Sequence, residues 1–499
     1  MKPTILRRHG WMAALALTAA GVAAAPGAPG GPPPEPGLYL GPTACGSSSC
    51  HGSVTPRKLL GVRQDEYFIW QKRDLHAQAY AVLFNDRSRV IARRLRLGQA
   101  GDSQRCTGCH ALAVPPRRQR GPLELEDGVS CESCHGAASG WLEGHRSESW
   151  MHEQSVTAGM TDLRDVAVRA AVCLSCHLGS AGKTVDHELI AAGHPPLAFE
   201  LDNYSEAMPA HWLPFADRPA AAGERDTHGA RAWAVGQAAS FRAAMDQLAR
   251  RARAAADRVS WPELSELACD ACHHPLAEER WRTGGGDAAE QRSTGDRRAA
   301  AADQPGAGDR QPAAANQRAA GDERSGLASG DRLDRPRSPG LPRWSPARYA
   351  VLRLLVGAVA PDRQAALDAG VEALAGQLAR FGTPPAEVAA AAEQLSREAA
   401  ELIPRLDRAS WNEAQARRLL LAVAVDEGGL EVADYGSAQQ AALAVQTLVS
   451  QLLAGEPGRL RGGLAGAAEA LAAELQNPYA FAPGRFADRL AQLARQLQD

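Results

Sequence analysis

All ten cysteines of this 499-residue chain fall into five pairs, and a histidine directly follows the second cysteine of every pair. Four pairs have the spacing Cys-x-x-Cys-His: Cys106, Cys109 and His110; Cys131, Cys134 and His135; Cys173, Cys176 and His177; Cys269, Cys272 and His273. The fifth is stretched, with four residues between Cys45 and Cys50 ahead of His51. Two thiols at this spacing bond to the edge of a porphyrin while the adjacent imidazole reaches its iron, which makes the pattern the attachment signature of c-type haem. A shuffled chain with 10 Cys and 14 His would carry about 0.006 copies of the short form. A zinc site would pair two Cys-x-x-Cys units or add histidines at free spacing. A disulfide framework gives the following histidine no role. The expectation is five covalent haem c groups, with His51, His110, His135, His177 and His273 as proximal iron ligands. For the stretched motif, a loop closed by a Cys45–Cys50 disulfide is the competing reading. Against it, Cys50-His51-Gly52 repeats Cys134-His135-Gly136.

Up to five irons then need a second axial ligand, and imidazole suits iron. Outside the motifs and the amino-terminal segment stand His76, His145, His152, His187, His194, His211, His228 and His274. A lone histidine is more often a surface or satisfied core residue than a ligand. His187 and His194 are seven apart, two turns along one face of a helix, and Pro195-Pro196 would end that helix. His211, in Met208-Pro209-Ala210-His211-Trp212, is a further candidate. His274 cannot reach the iron of its neighbour His273.

The segment Asp74-Leu75-His76-Ala77-Gln78-Ala79-Tyr80 follows the first motif. Gly128-Val129-Ser130-Cys131 opens the third, which leads to Glu143-Gly144-His145-Arg146. This succession, over roughly Leu38 to His177, resembles the cytochrome c-554 family, multihaem proteins that pass electrons in nitrogen oxidation and related respiratory chains. The resemblance implies that His76 and His145 are distal ligands, His76 to the haem of His135 and His145 to the haem of His51. It also implies that the iron at His110 can lack a protein sixth ligand. The chain departs from the four-haem pattern of that family by its fifth motif at Cys269–His273 and by its stretched first motif.

The elements that must hold these residues read as follows. Arg7-Arg8, the apolar run Trp11 to Val22 and the small residues to Ala25 form an export signal over residues 1–25, too short to span a membrane. The expected location is therefore periplasmic or otherwise extracytoplasmic, with no transmembrane segment in the mature chain. Residues 26–37 are a flexible Pro/Gly lead-in, and residues 38–282 form the pentahaem cytochrome c domain. Residues 283–338 hold only Leu327 and Leu333 as large apolar residues and read as a disordered linker. Residues 340–499 are rich in Ala and Leu, without Cys or His, and read as a bundle of five to six helices with capping boxes at Ser410/Glu413 and Ser437/Gln440. Within the haem segment, helices are expected over Asp65–Asn85, Leu163–Ala171 and Ala230–Arg258. The fold class is mainly α: a haem-cored multihaem domain with little regular secondary structure, a linker and a carboxy-terminal helical bundle.

A formal charge of −2 argues against nucleic acid as a partner. Each ferric haem with ionised propionates adds about one negative charge, so redox partner proteins should present a basic docking patch. The sequence supports an electron carrier with mostly bis-His irons, in a respiratory or nitrogen/sulfur redox chain. The alternative is a reductase or oxidase of a small nitrogen or sulfur oxyanion, working at one open-coordinated iron.

Overall fold

The computed structural model describes residues 37–57, 62–212, 228–255, 261–273, 343–380, 382–426, 430, 434–453 and 459–498. The expected signal, the lead-in up to residue 36 and the expected linker lie outside the described residues. Among the described residues the chain is mainly α-helical, with no strand and three isolated bridges, Tyr39–Gln119, Ser180–Lys183 and Leu267–Trp344. The first helices are short: α1 (Glu66–Arg73), α2 (Asp86–Leu95), α3 (Gln104–His110), α4 (Cys131–His135), α5 (His152–Thr157), α6 (Val166–His177), α7 (His187–Ala192) and α8 (Leu201–Ala207). A long α9 (His228–Ala254) follows. Then come α10 (Ala347–Val359), α11 (Pro361–Leu378), α12 (Pro385–Arg408), α13 (Glu413–Val425), α14 (Tyr435–Leu453), α15 (Arg459–Glu474) and α16 (Pro483–Gln498).

The boundaries have local causes. Asp165 accepts hydrogen bonds from the Ala167 and Val168 amides at the start of α6, and Asp186 from the Leu189 amide at the start of α7, which satisfies donors that a helix leaves orphaned. The helix expected over Asp65–Asn85 breaks at Asp74, whose backbone is extended, and resumes as 3-10 turns at Leu75–Gln78 and Ala81–Phe84. The Asp74 carboxylate accepts from the His76 amide at 3.0 Å, offering the backbone a turn in place of a further helical bond. The bundle has seven described helices rather than five or six, because Pro361 opens a new helix directly after Ala360. Its caps also differ from expectation. Asn412 caps α13, and Asp434 accepts from the Ser437 amide at the start of α14, so Asn412 and Asp434 take the places expected for Ser410 and Ser437.

One apolar core crosses the composition boundary. It joins Val166, Ala170 and Leu174 of α6, Phe199, Leu201, and Trp233, Phe241 and Leu248 of α9 to Leu352, Leu374, Leu395, Leu448 and Leu490 of the bundle. Helix α12 packs along α9. The described residues from Gly37 onward form one compact unit. Polar contacts stitch the same seam: Arg348 donates to the Phe199 and Leu197 carbonyls at 2.8 and 2.9 Å. Asn203 donates to the Leu443 carbonyl and to Thr447 Oγ1, both at 3.0 Å. The first part of the chain holds only small separate apolar clusters, around Tyr80, Leu83 and Ala100 and around Ile91, Leu189 and Ala192.

Glu200 is buried in this seam and caps α8, accepting from the amides of Asp202 and Asn203. Burial, then the charge of Asp202, pushes its carboxyl up to about 7 from 4.5. The folded state therefore holds this proton more tightly than the unfolded chain, so its contribution to stability is complete below about pH 4.5 and is lost as pH rises through about 7. Thermal midpoints of wild type and Glu200→Gln should diverge over that window, with wild type falling by the equivalent of about 3 kcal/mol more. Parallel pH curves would show that Glu200 does not titrate in the fold.

Candidate haem sites

Short helical segments present the motif cysteines. Helices α3 and α4 and the last turn of α6 each carry a Cys-x-x-Cys-His, and a 3-10 turn at Cys269–Ala271 carries the last. In a helix, residues three and four apart share a face, so both thiols and the histidine are displayed together. In the stretched motif a turn absorbs the two extra residues: the Cys50 amide donates to Ser47 O at 2.9 Å and the His51 amide to Cys45 O at 3.2 Å. The glycine after His51 has a steric reason, since a Cβ on Gly52 would lie 1.9 Å from the Gly46 carbonyl oxygen. Gly136 has φ 80°, a left-handed conformation that glycine favours. No disulfide joins any of the ten cysteines, Cys45 and Cys50 included, and Cys269 and Cys272 are exposed. The motifs also neighbour one another: the Cys45 thiol interacts with Cys131 and the Cys109 thiol with Cys176.

Four pairs of imidazoles face each other at nearly one spacing. Ring centroids of His51 and His145 are 6.3 Å apart with planes 7° from parallel, and those of His187 and His273 are 6.3 Å apart at 27°. His76 and His177 are 6.0 Å apart at 87°, and His110 and His194 are 6.5 Å apart at 90°. Every pair joins one motif histidine to one of the free histidines. Two imidazoles sharing one metal, each at a metal–nitrogen distance of roughly 2 Å, place their centroids about 6.3 Å apart. The fifth motif histidine, His135, is half-buried. Its pKa is pushed down to about 4, first by burial and then by nearby His211 and His51.

The other ring nitrogen is occupied in the same sense in six of these histidines. Nδ1 of His51 meets Glu66 Oε2 at 3.0 Å, and Nδ1 of His76 meets Asp74 Oδ1 at 3.0 Å. Nδ1 of His110, His145 and His194 lies 2.8, 2.5 and 2.8 Å from the carbonyls of Ala79, Leu142 and Pro195. His211 Nδ1 is 3.4 Å from the Pro209 carbonyl. A carbonyl only accepts, so Nδ1 carries the proton and Nε2 is left as the lone-pair nitrogen that ligates a metal. Burial also lowers the pKa of His177, His194 and His211, that of His177 to about 4 with help from His76. These rings are thus held neutral, as metal ligation requires. His152 is the contrast: its Nε2 is bonded to Asp162 Oδ1 at 2.9 Å. The side chain of His228 and the whole of His274 lie outside the described residues.

Several placements differ from the sequence reading. His145 faces His51, as the resemblance implied, but His76 faces His177 rather than His135. The break at Asp74 turns the His76 ring out of a continuous α1. His110 faces His194. His187 and His194 do not work as a pair on one helical face. Gly193, at φ 119°, ends α7 and sends His194 to His110, while His187 points to His273. Asp186 and Glu188 bind Arg105. Sequence reasoning missed Glu66 and Asp74 as imidazole partners, and it missed Glu132. Buried inside the third motif, Glu132 accepts from the amides of Leu40, Gly41 and Ala138 and so fastens the start of the described chain to α4. A carboxylate between two motif cysteines was the available signal.

A common imidazole spacing, free Nε2 atoms and paired thiols beside each proximal ring fit haem c. Among known families, residues 44–136 match the model of cytochrome c554 and c-prime. This chain resembles that family. The match marks the segment as a c-type cytochrome, of the kind that holds haem c covalently and transfers electrons. Neither curated proteins nor solved structures give a match to the chain. The cytochrome match covers the first three cysteine motifs, while the motifs at Cys173 and Cys269 lie beyond it.

Proposed function

We propose that this protein is an exported, periplasmic pentahaem c-type cytochrome that carries electrons between redox partner proteins. The observation that carries this reading is the set of four imidazole pairs at one spacing, each with a motif histidine on one side. The axial pairs would be His51/His145, His110/His194, His177/His76 and His273/His187. His135 remains for His211, the nearby imidazole that burial also keeps neutral. Low-spin haem iron between two imidazoles exchanges one electron with little rearrangement, and the protein sets its potential through ligands, burial and hydrogen bonds.

The motifs adjoin in a row that differs from their order in sequence. Cys45 interacts with Cys131, Cys134 lies within electrostatic range of Cys173 and Cys176, and Cys176 interacts with Cys109. Helix α7 then links His194, opposite His110, to His187, opposite His273. This supports a wire running through the first, third, fourth, second and fifth motifs. The exposure of Cys269 and Cys272 makes the fifth the natural docking end. With five haems added to a net charge of −2, the partner meeting that end would carry a basic patch. A catalytic iron needs an open face, and the ring of His194 opposite His110 favours the carrier over an oxyanion reductase or oxidase.

Intact-protein mass after denaturation tests the count, with five covalent haems expected. A mass fitting four would remove Cys45 and Cys50 from the set and shorten the wire at its first end. A high-spin ferric centre that binds nitrite or cyanide would overturn the carrier reading.

A further inference from the structure

The hydrogen bonds on Nδ1 are not alike. Glu66 and Asp74 present carboxylates to His51 and His76, whereas His110, His145 and His194 meet backbone carbonyls. We propose that Glu66 and Asp74 are redox-poising residues, which hold the irons at His51/His145 and His76/His177 at lower reduction potentials than those at His110/His194 and His187/His273. The inference rests on the bis-His reading above.

A carboxylate pulling on Nδ1–H gives the ring imidazolate character, which makes Nε2 a stronger donor and favours ferric over ferrous iron. A carbonyl supplies a dipole but no net charge. The carboxylates are also shielded from water: the side chains of Asp74 and Glu66 are only 5% and 15% exposed, where charge acts at longer range than in solvent. Both are fixed by a second bond. Asp74 Oδ1 also accepts from the His76 amide at 3.0 Å, and Glu66 Oε1 accepts from the Arg63 amide at 2.8 Å. They act through the imidazoles and touch no iron, so they are positioning residues.

Ring orientation lets each iron be followed separately. Near-parallel imidazole planes split the iron d orbitals and give rhombic low-spin ferric resonance signals. Perpendicular planes leave those orbitals nearly degenerate and give highly anisotropic signals. His51/His145 and His187/His273 belong to the first class, and His76/His177 and His110/His194 to the second. Of these four irons, each class therefore contains one with a carboxylate on a ligand Nδ1 and one for which the described residues supply none.

The test is a mediated redox titration of the full holoprotein, read by electron paramagnetic resonance. In wild type, one member of each signal class should be reduced last. Asp74→Asn keeps an oxygen at Oδ1 for both of its hydrogen bonds and removes only the charge. It should shift one highly anisotropic component at least tenfold toward the ferrous form, which is 59 mV for one electron, with every iron still low-spin. Glu66→Gln should do the same to one rhombic component. Two results would overturn the inference: variant curves that superimpose on wild type while the irons stay low-spin, or members of a class that titrate together in wild type. Loss of low-spin character at one iron in Asp74→Asn would also overturn it, by making the bond a ligand support rather than a poise. Failure of the bis-His reading itself would look different, as wild-type ferric protein without low-spin signals.

Discussion

Replacing His145 or His76 with alanine is expected to turn one iron from low-spin to high-spin, and the two losses should differ in kind. His145 faces His51 with nearly parallel planes, so His145→Ala should remove a rhombic signal. His76 faces His177 almost at right angles, so His76→Ala should remove a highly anisotropic one. Covalent attachment should survive in both, because the thiols and proximal histidines are untouched. The expected change is complete loss of one low-spin component per variant, and the spectra of purified ferric protein check it. Loss of the same class of signal in both variants would defeat the assignment.

The second large effect concerns the bundle. A chain ending at residue 282 is expected to lose the haems of Cys173/Cys176 and Cys269/Cys272 or to become insoluble. Helix α6, which carries the fourth motif, and helix α9 bury Leu174, Trp233, Phe241 and Leu248 in the core they share with α10–α16. Each large side chain returned to water costs about 1.5–3 kcal/mol, and a few of them exceed the roughly 5–15 kcal/mol that holds a domain together. By contrast, a protease cut between residues 283 and 338 of the complete protein should leave two fragments that co-elute in gel filtration. A soluble five-haem product from the truncated chain, or separation of the fragments, would show that the halves are independent.

The chemistry of this chain was legible because covalent haem attachment demands fixed residues at fixed spacing. The mainly helical class was legible from the same sequence, through the Ala/Leu periodicity after residue 340 and the poverty of regular elements before it. The partners of the irons were harder. His76 and His194 are placed by a break at Asp74 and a left-handed Gly193, and neither periodicity nor family likeness reports a single residue that redirects the chain. The flanking aromatics Trp281, Trp344 and Tyr349 favoured packed halves, but the extent of the shared core was hidden for a different reason. Composition changes sharply near residue 283, yet the apolar face of α9 looks the same whether it covers haem or meets α12. Glu66, Asp74 and Glu132 look like solvated charges until the fold brings their acceptor oxygens to particular donors.

The bridge between Leu267 and Trp344 has a meaning in time as well as in space. The Ala268 amide donates to the Arg343 carbonyl at 2.7 Å and the Ser345 amide to the Glu266 carbonyl at 3.0 Å, so the segment bearing Cys269 and Cys272 is sewn to residues that are made much later. Chains emerge amino terminus first. The first four motifs therefore emerge well before the start of the bundle, to which the last motif is sewn. The last motif must wait, thiols open, until the start of the bundle arrives to fix it. The fifth motif, the exposed end of the proposed wire, is thus the last of the five to be fixed in place.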